Sequence, residues 1–379
     1  MSDRSLRVLH CPTDVGGNPI GLARAERALG VRSTVAVNHR SWLQLPVDID
    51  LGIRPGRKYA DLPPRILFLM RSLLRYDVFH FNFGQTFLPS IRGHGIDLPL
   101  LRMLRRRLFV TYQGCDARQS GWCQANFAVT CCDGSGVGGN CDTKEDASRR
   151  DRIRFIARYA HRIFALNPDL LHVLPAGAEF VPYASVFPED VPVRPRDASR
   201  RPVVLHAPTN RAIKGTDIIL SALESARREI DFEIRLVEGV PHARAMEMYR
   251  DADLLIDQLR IGWYGGLAVE LMAMGTPTVC YLREQDLKFL PPAMRDELPV
   301  VRADAKSLAQ VIVGLLADEP RRRAIGAASR RFVERWHDPR RIAGRMVAIY
   351  RDPSLGFWSG YDPDLPAASL ATRTTVFVP

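Results

Sequence analysis

Two consecutive doubly wound α/β domains, each a parallel sheet with helices on both faces, are the fold class this sequence predicts, and three observations predict it. Short apolar, strand-like runs alternate with helical stretches along most of the chain, which is the pattern of a parallel sheet built through helical crossovers. The alternation stops at one stretch rich in Pro and charge, FPEDVPVRPRDASRRP (187–202), and then begins again. A chain of 379 residues with 46% hydrophobic content is too long for one ordinary core and ample for two.

The first domain is expected over 1–187. Its strands are LRVLHC (6–11), DVFHFN (77–82), LFVTY (108–112) and RIFAL (162–166), separated by helices such as IGLARAERALG and RDRIRFIARYAHR. Residues 188–202 have no periodicity and are expected to be a linker. The second domain, 203–350, has strands at PVVLHA, FEIRLV, ADLLIDQ and TPTVCYL and helices at KGTDIILSALESARR, HARAMEMYRD and GLAVELMAM. DPRRIAGRMVAIYRD closes it as a helix, and 351–379 is expected to be an irregular tail. Two such domains make a cleft, and ligands of these sheets bind at the carboxyl ends of the strands.

Composition narrows the function. No apolar run reaches the length of a membrane span, and MSDRSLRVLH lacks a signal-peptide apolar stretch, so a soluble cytoplasmic protein is expected. The net charge is +11, but all except five of the 53 basic residues are arginines scattered along the chain, which argues against nucleic acid as a partner. Arg105, Arg106 and Arg107 cluster in LLRMLRRRLF. A solvated helix face accounts for them first, and a peripheral contact with an acceptor lipid or the membrane surface second. Cys115, Cys123, Cys131, Cys132 and Cys141 crowd one segment without paired C-x-x-C spacing. Plain thiols in a mobile Gly-rich loop are expected there, with a structural metal clip as the other reading.

The chemistry is carried by GWYGGLAVELMAMGTPTVC (262–280), in which Glu270 is the one charged residue. Gly265 and Gly266 permit a tight turn; Leu267, Leu271 and Met274 mark an apolar helical face; Gly275 and Pro277 stop the helix. A helix that starts at a glycine pair turns free N–H groups and its positive end outward, which suits a phosphate. Glu270, one turn inside, is within reach of a hydroxylated group beside that phosphate, such as a ribose; a structural carboxylate paired with a backbone group or an Arg is the competing account. HAPTNRAIKG (206–215) likewise follows a strand and leads into a helix, with Arg211 and Lys214 on the turn. In the first domain, CPTDVGGNPIGLARAE puts Gly16 and Gly17 on the loop after the first strand.

Together, the K-G turn and the G-G-x-x-x-E helix resemble the donor half of the GT-B fold, with its two Rossmann-like domains. More narrowly, most of residues 6–350 resemble the family 4 (group 1) retaining glycosyltransferases. The resemblance implies transfer of a sugar from a nucleoside-diphosphate sugar to a hydroxyl acceptor such as a glycan, glycolipid or small-molecule glycoside, with the anomeric configuration retained. It implies that Lys214 and Arg211 bind the donor diphosphate, that Gly265 and the N–H groups of Gly266 and Leu267 cap it, and that Glu270, second Glu of the family's E-x7-E element, holds the ribose. Gly16 and Gly17 would approach the donor phosphate and acceptor. No cofactor and no metal are implied, the DAD at 251–253 being too short to count. Two positions depart from the family pattern: Gln113 stands where a sugar-contacting His is usual, and Gly262 where the first Glu belongs. Trp263 and Tyr264 are then candidates to stack on the sugar. The same departures motivate a second reading, a catalytically silent nucleotide-sugar-binding partner subunit.

Overall fold

The computed structural model describes residues 5–41, 43–53, 61–88, 95–132, 142–193 and 200–373. The chain forms two compact units. The first comprises Met1–Gln119, Lys144–Ser185 and Pro339–Pro379, and the second comprises Ser120–Thr143 and Val186–Asp338.

The first unit carries a seven-stranded sheet of β1 (Arg7–Cys11), β2 (Arg32–Val37), β3 (Ile49–Asp50), β4 (Val78–Asn82), β5 (Arg107–Tyr112), β6 (Arg162–Ala165) and β7 (Glu179–Phe180). The order is β3-β2-β1-β4-β5-β6-β7 and every pair is parallel. Alternation along the strands divides the two faces. Leu9, Phe79, Phe81, Leu108 and Val110 meet Leu69 and Leu73 of helix Leu62–Arg75, Leu98 and Leu101 of helix Asp97–Met103, and Ile153 and Ile156 of helix Glu145–Tyr159.

The opposite face is buried too, and there polar side chains stand among Val8, Val78 and Phe109. In register on neighbouring strands, His10 and His80 have their rings 5.1 Å apart. His10 Nε2 bonds Glu26 Oε2 at 2.9 Å, and Ser33 Oγ donates to the same oxygen at 2.6 Å. His80 lies between the hydroxyls of Thr111 and Tyr350, 2.6 Å from each. Burial holds its pKa well below the usual value, so the ring is neutral and offers one donor and one acceptor nitrogen.

Tyr350 explains why the domain boundary differs from the expected 350. Helix Pro339–Arg351 buries Ile342, Ala343, Met346 and Val347 in the first unit, and Tyr350 seals His80. After Arg351 the described chain runs through turns as far as Pro366 and then forms one more helix, which the expected irregular tail did not include. Helix Ala367–Thr372 packs on Pro339–Arg351, and buried Arg345 donates to the carbonyls of Gly356, Phe357 and Arg373. The strand expected at RIFAL (162–166) ends at Ala165, and Pro168–His172 forms a 3-10 turn.

The second unit carries β8 (Val203–His206), β9 (Glu233–Leu236), β10 (Leu254–Ile256), β11 (Thr278–Cys280) and β12 (Val301–Arg302), in the parallel order β12-β11-β10-β8-β9. Val204, Leu254, Ile256 and Val279 pack on Ile219 and Leu223 of helix Thr216–Ala226 and on Ile312 and Leu315 of helix Leu308–Ala317. The strands expected at PVVLHA, FEIRLV, ADLLIDQ and TPTVCYL are those found, and β12 is additional.

Candidate functional site

In both sheets the chain reverses its winding direction beside the first strand, between β1 and β4 in one and between β8 and β10 in the other. Such switch points open a crevice at the carboxyl ends of the strands. The residues that follow β8 and β10 are the ones of interest.

After β8, Asn210 caps a single turn, Arg211–Lys214, by accepting the Ile213 N–H at 3.0 Å. Gly215, at φ +78°, ends the turn and starts helix Thr216–Ala226. Lys214 is thereby directed to β10, where its Nζ donates to Asp257 Oδ1 at 2.7 Å. The other carboxylate oxygen of Asp257 accepts the Gly265 N–H at 2.7 Å. One buried carboxylate thus fastens the ammonium and the N-terminus of helix Gly266–Ala273 together. A Cβ at Gly265 would stand 3.2 Å from Lys214 Nζ, so the glycine admits the ammonium to the helix start. Gly266 and Leu267 occupy the first positions of that helix, whose N–H groups have no intrahelical acceptor. The ammonium and the helix end combine into one site of positive potential.

His206 supports this floor. Its Nδ1 donates to the Ile256 carbonyl at 2.8 Å and its Nε2 accepts from Thr216 Oγ1 at 2.9 Å. Burial, reinforced by Lys214 and Arg211, pushes its pKa down to about 4, against the Ile256 carbonyl and Asp257, which act the other way. The ring is a neutral strut.

Glu270 has a partner that sequence reasoning missed. Its Oε1 lies 2.6 Å from Nε2 of His242, the first residue of helix His242–Tyr249. The bond to Glu270 raises the His242 pKa against the opposing effect of burial. Arg211 is directed elsewhere than Lys214: half-exposed, it pairs with Glu238 at 2.9 Å and Asp217 at 3.5 Å.

One sequence expectation fails here. Trp263 and Tyr264 have no exposed surface, so they are packing residues and not a platform for a sugar. Their rings are 4.3 Å apart, Tyr264 bonds His337 Nε2 at 2.9 Å, and the Trp263 carbonyl accepts from Gln258. The Gly-rich stretch 133–141 of the cysteine segment, expected as a loop, lies outside the described residues, and the described part before it is packed. Cys123, Cys131 and Cys132 join Phe127 in an apolar cluster that includes Trp122, Ile213 and Ile261. The described residues 120–132 thereby join the second unit, where Ile213 of the Lys214 turn packs against them. Cys131 Sγ and Cys132 Sγ are 4.0 Å apart, and the described cysteines are free thiols. Cys141 lies outside the described residues. Among the described residues no group of three or more His, Cys, Asp or Glu is arranged to hold a metal.

Gly262 has φ +95°, and a Cβ there would stand 2.5 Å from Arg283 Nη1. The guanidinium fills the space where a side chain at 262 would begin. It bonds Asp286 at 2.7 Å and the Val129 carbonyl at 2.8 Å, and it lies 3.6 Å from the centre of the Phe127 ring. Nothing in the sequence singles out Arg283 among so many arginines.

In the first unit the loops at the strand ends also converge. Gly16 (φ +63°) and Gly17 turn the chain after β1, and the Gln113 Oε1 atom after β5 lies 3.8 Å from where a Gly16 Cβ would be. Gln113 Nε2 reaches Asn82 Oδ1 at 3.5 Å, while its carbonyl accepts from Asn167. Asp116 organises the turn by accepting the N–H groups of Gln113, at 3.1 Å, and Gly114, at 2.6 Å. Burial raises its pKa to about 6 in spite of those bonds.

Two doubly wound units, each with polar groups gathered at its switch point, define a GT-B protein, and comparison with solved structures gives the same fold. Sucrose-phosphate synthase from Thermosynechococcus elongatus aligns over 92% of this chain and 98% of its own, with a TM-score of 0.60 at 17% identity. HepE from Anabaena, solved in complex with UDP-glucose, aligns over 92% and 100%, with a TM-score of 0.61 at 13% identity. More particularly, part of the chain is similar in sequence to a curated glycosyltransferase, with which the family 4, or group 1, type is consistent. A curated D-inositol 3-phosphate glycosyltransferase from Xylanimonas cellulosilytica is 26% identical over 229 residues, 50% of this chain and 53% of that one. The chain therefore matches about half the length of this curated relative. No family model matches the chain.

Proposed function

We propose that the protein is a retaining glycosyltransferase that moves a sugar from a nucleoside-diphosphate sugar to a hydroxyl acceptor, with the second unit binding the donor and the first binding the acceptor. The observation that carries this reading is the clasp of Lys214 and Gly265 by Asp257 at the start of helix Gly266–Ala273. It presents an ammonium and outward N–H groups together, the arrangement that stabilises a diphosphate and the charge it gains as a leaving group. Glu270 has a second carboxylate oxygen beyond the one bonded to His242, and this oxygen would take the ribose hydroxyls. Arg211 at the rim would exchange Glu238 for a phosphate oxygen. In the retaining reaction the departing diphosphate can itself accept the acceptor's proton, so the second unit need supply no base. Gln113 and the Gly16–Gly17 turn would bound the sugar from the first unit. The kinship with glycosyltransferases and the UDP-glucose bound to HepE support this reading.

One observation favours a second reading, a donor-binding partner without catalysis: Arg283 occupies the space of the side chain at 262 that the family uses for the sugar. Incubating the purified protein with radiolabelled UDP-, GDP-, ADP-, TDP- and CDP-sugars without acceptor separates the two. A transferase releases free sugar slowly from one of them, whereas the silent partner binds a donor and releases none.

A further inference from the structure

Helix Leu62–Arg75 of the first unit has two apolar faces. One is the ordinary one, with Leu69 and Leu73 buried against the sheet. The other is turned to solvent: Ile66, Leu67, Met70 and Leu74 are 43%, 51%, 52% and 80% exposed. At helical spacing these four fall within an arc of about 100°. Exposed Arg71 and Arg75 border the arc, and LPPRILFLMRSLLR contains no acidic residue.

The face continues beyond this helix. In helix Asp97–Met103 and the turn after it, Met103 is 71% and Leu104 42% exposed, beside exposed Arg102 and Arg105. Arg106 fastens that turn to the first helix by donating to the Leu73 carbonyl at 2.6 Å, and Arg7 Nη1 reaches the Leu74 carbonyl at 3.3 Å. Of the ten large hydrophobic side chains exposed among the described residues, seven lie between Ile66 and Leu104. They are concentrated on one basic region and not spread over the surface, and a concentrated apolar patch marks an interaction site.

We propose that this face docks on an anionic lipid surface. A leucine-rich stripe rimmed by arginine buries its side chains at the headgroup boundary while the guanidinium groups meet lipid phosphates. A symmetric contact with a second copy would set the arginines against one another. Nucleic acid would make no use of the leucines. Among the described residues no helix is long and apolar enough to cross a membrane. The inference stands apart from the donor-site reading, because it uses none of that site's residues.

The test is flotation of the full chain, at physiological salt, with vesicles of phosphatidylcholine alone and of phosphatidylcholine mixed with phosphatidylglycerol. The wild type is expected to float with the mixed vesicles only. Arg71→Gln with Arg75→Gln should weaken the partition about thirtyfold, from two lost interfacial charges. Leu67→Ser with Leu74→Ser should weaken it at least about tenfold, with the melting temperature unchanged because both side chains are exposed. Absence of flotation, equal binding to both vesicles, or variants that bind as the wild type does would each overturn the proposal. So would a dimer that Leu74→Ser dissolves in a protein that ignores vesicles, which would assign the face to a second copy.

Discussion

Lys214 Nζ and Asp257 Oδ1 lie 2.7 Å apart at the switch point of the second sheet, with the Asp257 side chain fully buried and that of Lys214 nearly so. The two residues are 43 positions apart in sequence. A buried carboxylate that also takes the Gly265 N–H fixes where the ammonium stands before any ligand arrives. Preorganisation of this kind spares the binding step the cost of ordering a lysine side chain. It also means that truncating Lys214 strands a buried charge, worth about 3 to 5 kcal/mol of stability, so tests of Lys214 need a substitution that still bonds Asp257.

Glu270→Gln separates a ribose contact from a structural one. Charge-assisted hydrogen bonds contribute about 1.5 to 3 kcal/mol, so affinity for the preferred nucleoside diphosphate should fall about tenfold to a hundredfold. The 2′,3′-dideoxy nucleotide, lacking the hydroxyls, should bind both proteins alike. In NMR titration the His242 pKa should drop toward that of a free imidazole once its carboxylate is gone. Unchanged binding of the normal nucleotide, together with that drop, would make Glu270 a partner for His242 and nothing more.

Gly262→Ala should destabilise the second unit by roughly 1 to 3 kcal/mol, because φ +95° disfavours a side chain and the new Cβ meets the Arg283 guanidinium. Adding Arg283→Ala relieves the collision but not the backbone strain, so the double variant should recover part of the loss relative to Arg283→Ala alone. Urea denaturation of the four proteins gives the coupling. A strictly additive cycle would show that the two positions do not compete for space.

Much of this architecture was legible in the chain. The β8, β10 and β11 runs are apolar, β9 alternates charged and apolar residues, and Gly265 and Gly266 announce a helix start. What local pattern could not convey was long-range pairing. Helix Pro339–Arg351 reads as the last helix of the second domain, and long-range contacts such as Tyr350 against His80, 270 residues away, tie it to the first. Asp257 sits inside an apolar strand segment with no sign that it faces Lys214, and His242 lies 28 residues from Glu270. Trp263 and Tyr264 look available for stacking in sequence because exposure is a property of packing. Two-residue strands such as β3 and β12 are too short to register as a period.

His206 gives the second unit an acid-dependent stability. Its folded pKa of about 4 lies below the unfolded value of about 6.5, so the unfolded state binds the extra proton between those values. The contribution is complete above pH 6.5 and is lost as the pH falls toward 4, a change on the order of 3 kcal/mol. His206→Asn keeps a donor for the Ile256 carbonyl and removes the titration. Its urea midpoint should therefore fall less steeply than that of the wild type between pH 6.5 and 4, and parallel curves would contradict a buried neutral ring.

The donor site is tested most directly by calorimetric titration of Lys214→Gln beside the wild type, using whichever of UDP, GDP, ADP, TDP and CDP binds best and its parent nucleoside. The glutamine side chain is neutral and one bond shorter than lysine, so it offers Asp257 a donor without pairing its charge, and a thermal melt of the variant is recorded beside the titration to show that the fold is kept. A loss of at least about tenfold for the diphosphate, with the nucleoside bound as before, is the expected result, since the missing contact is to phosphate. Equal weakening of both ligands, or none of either, would contradict the assignment of Lys214 and the Gly265–Leu267 helix start as the diphosphate site.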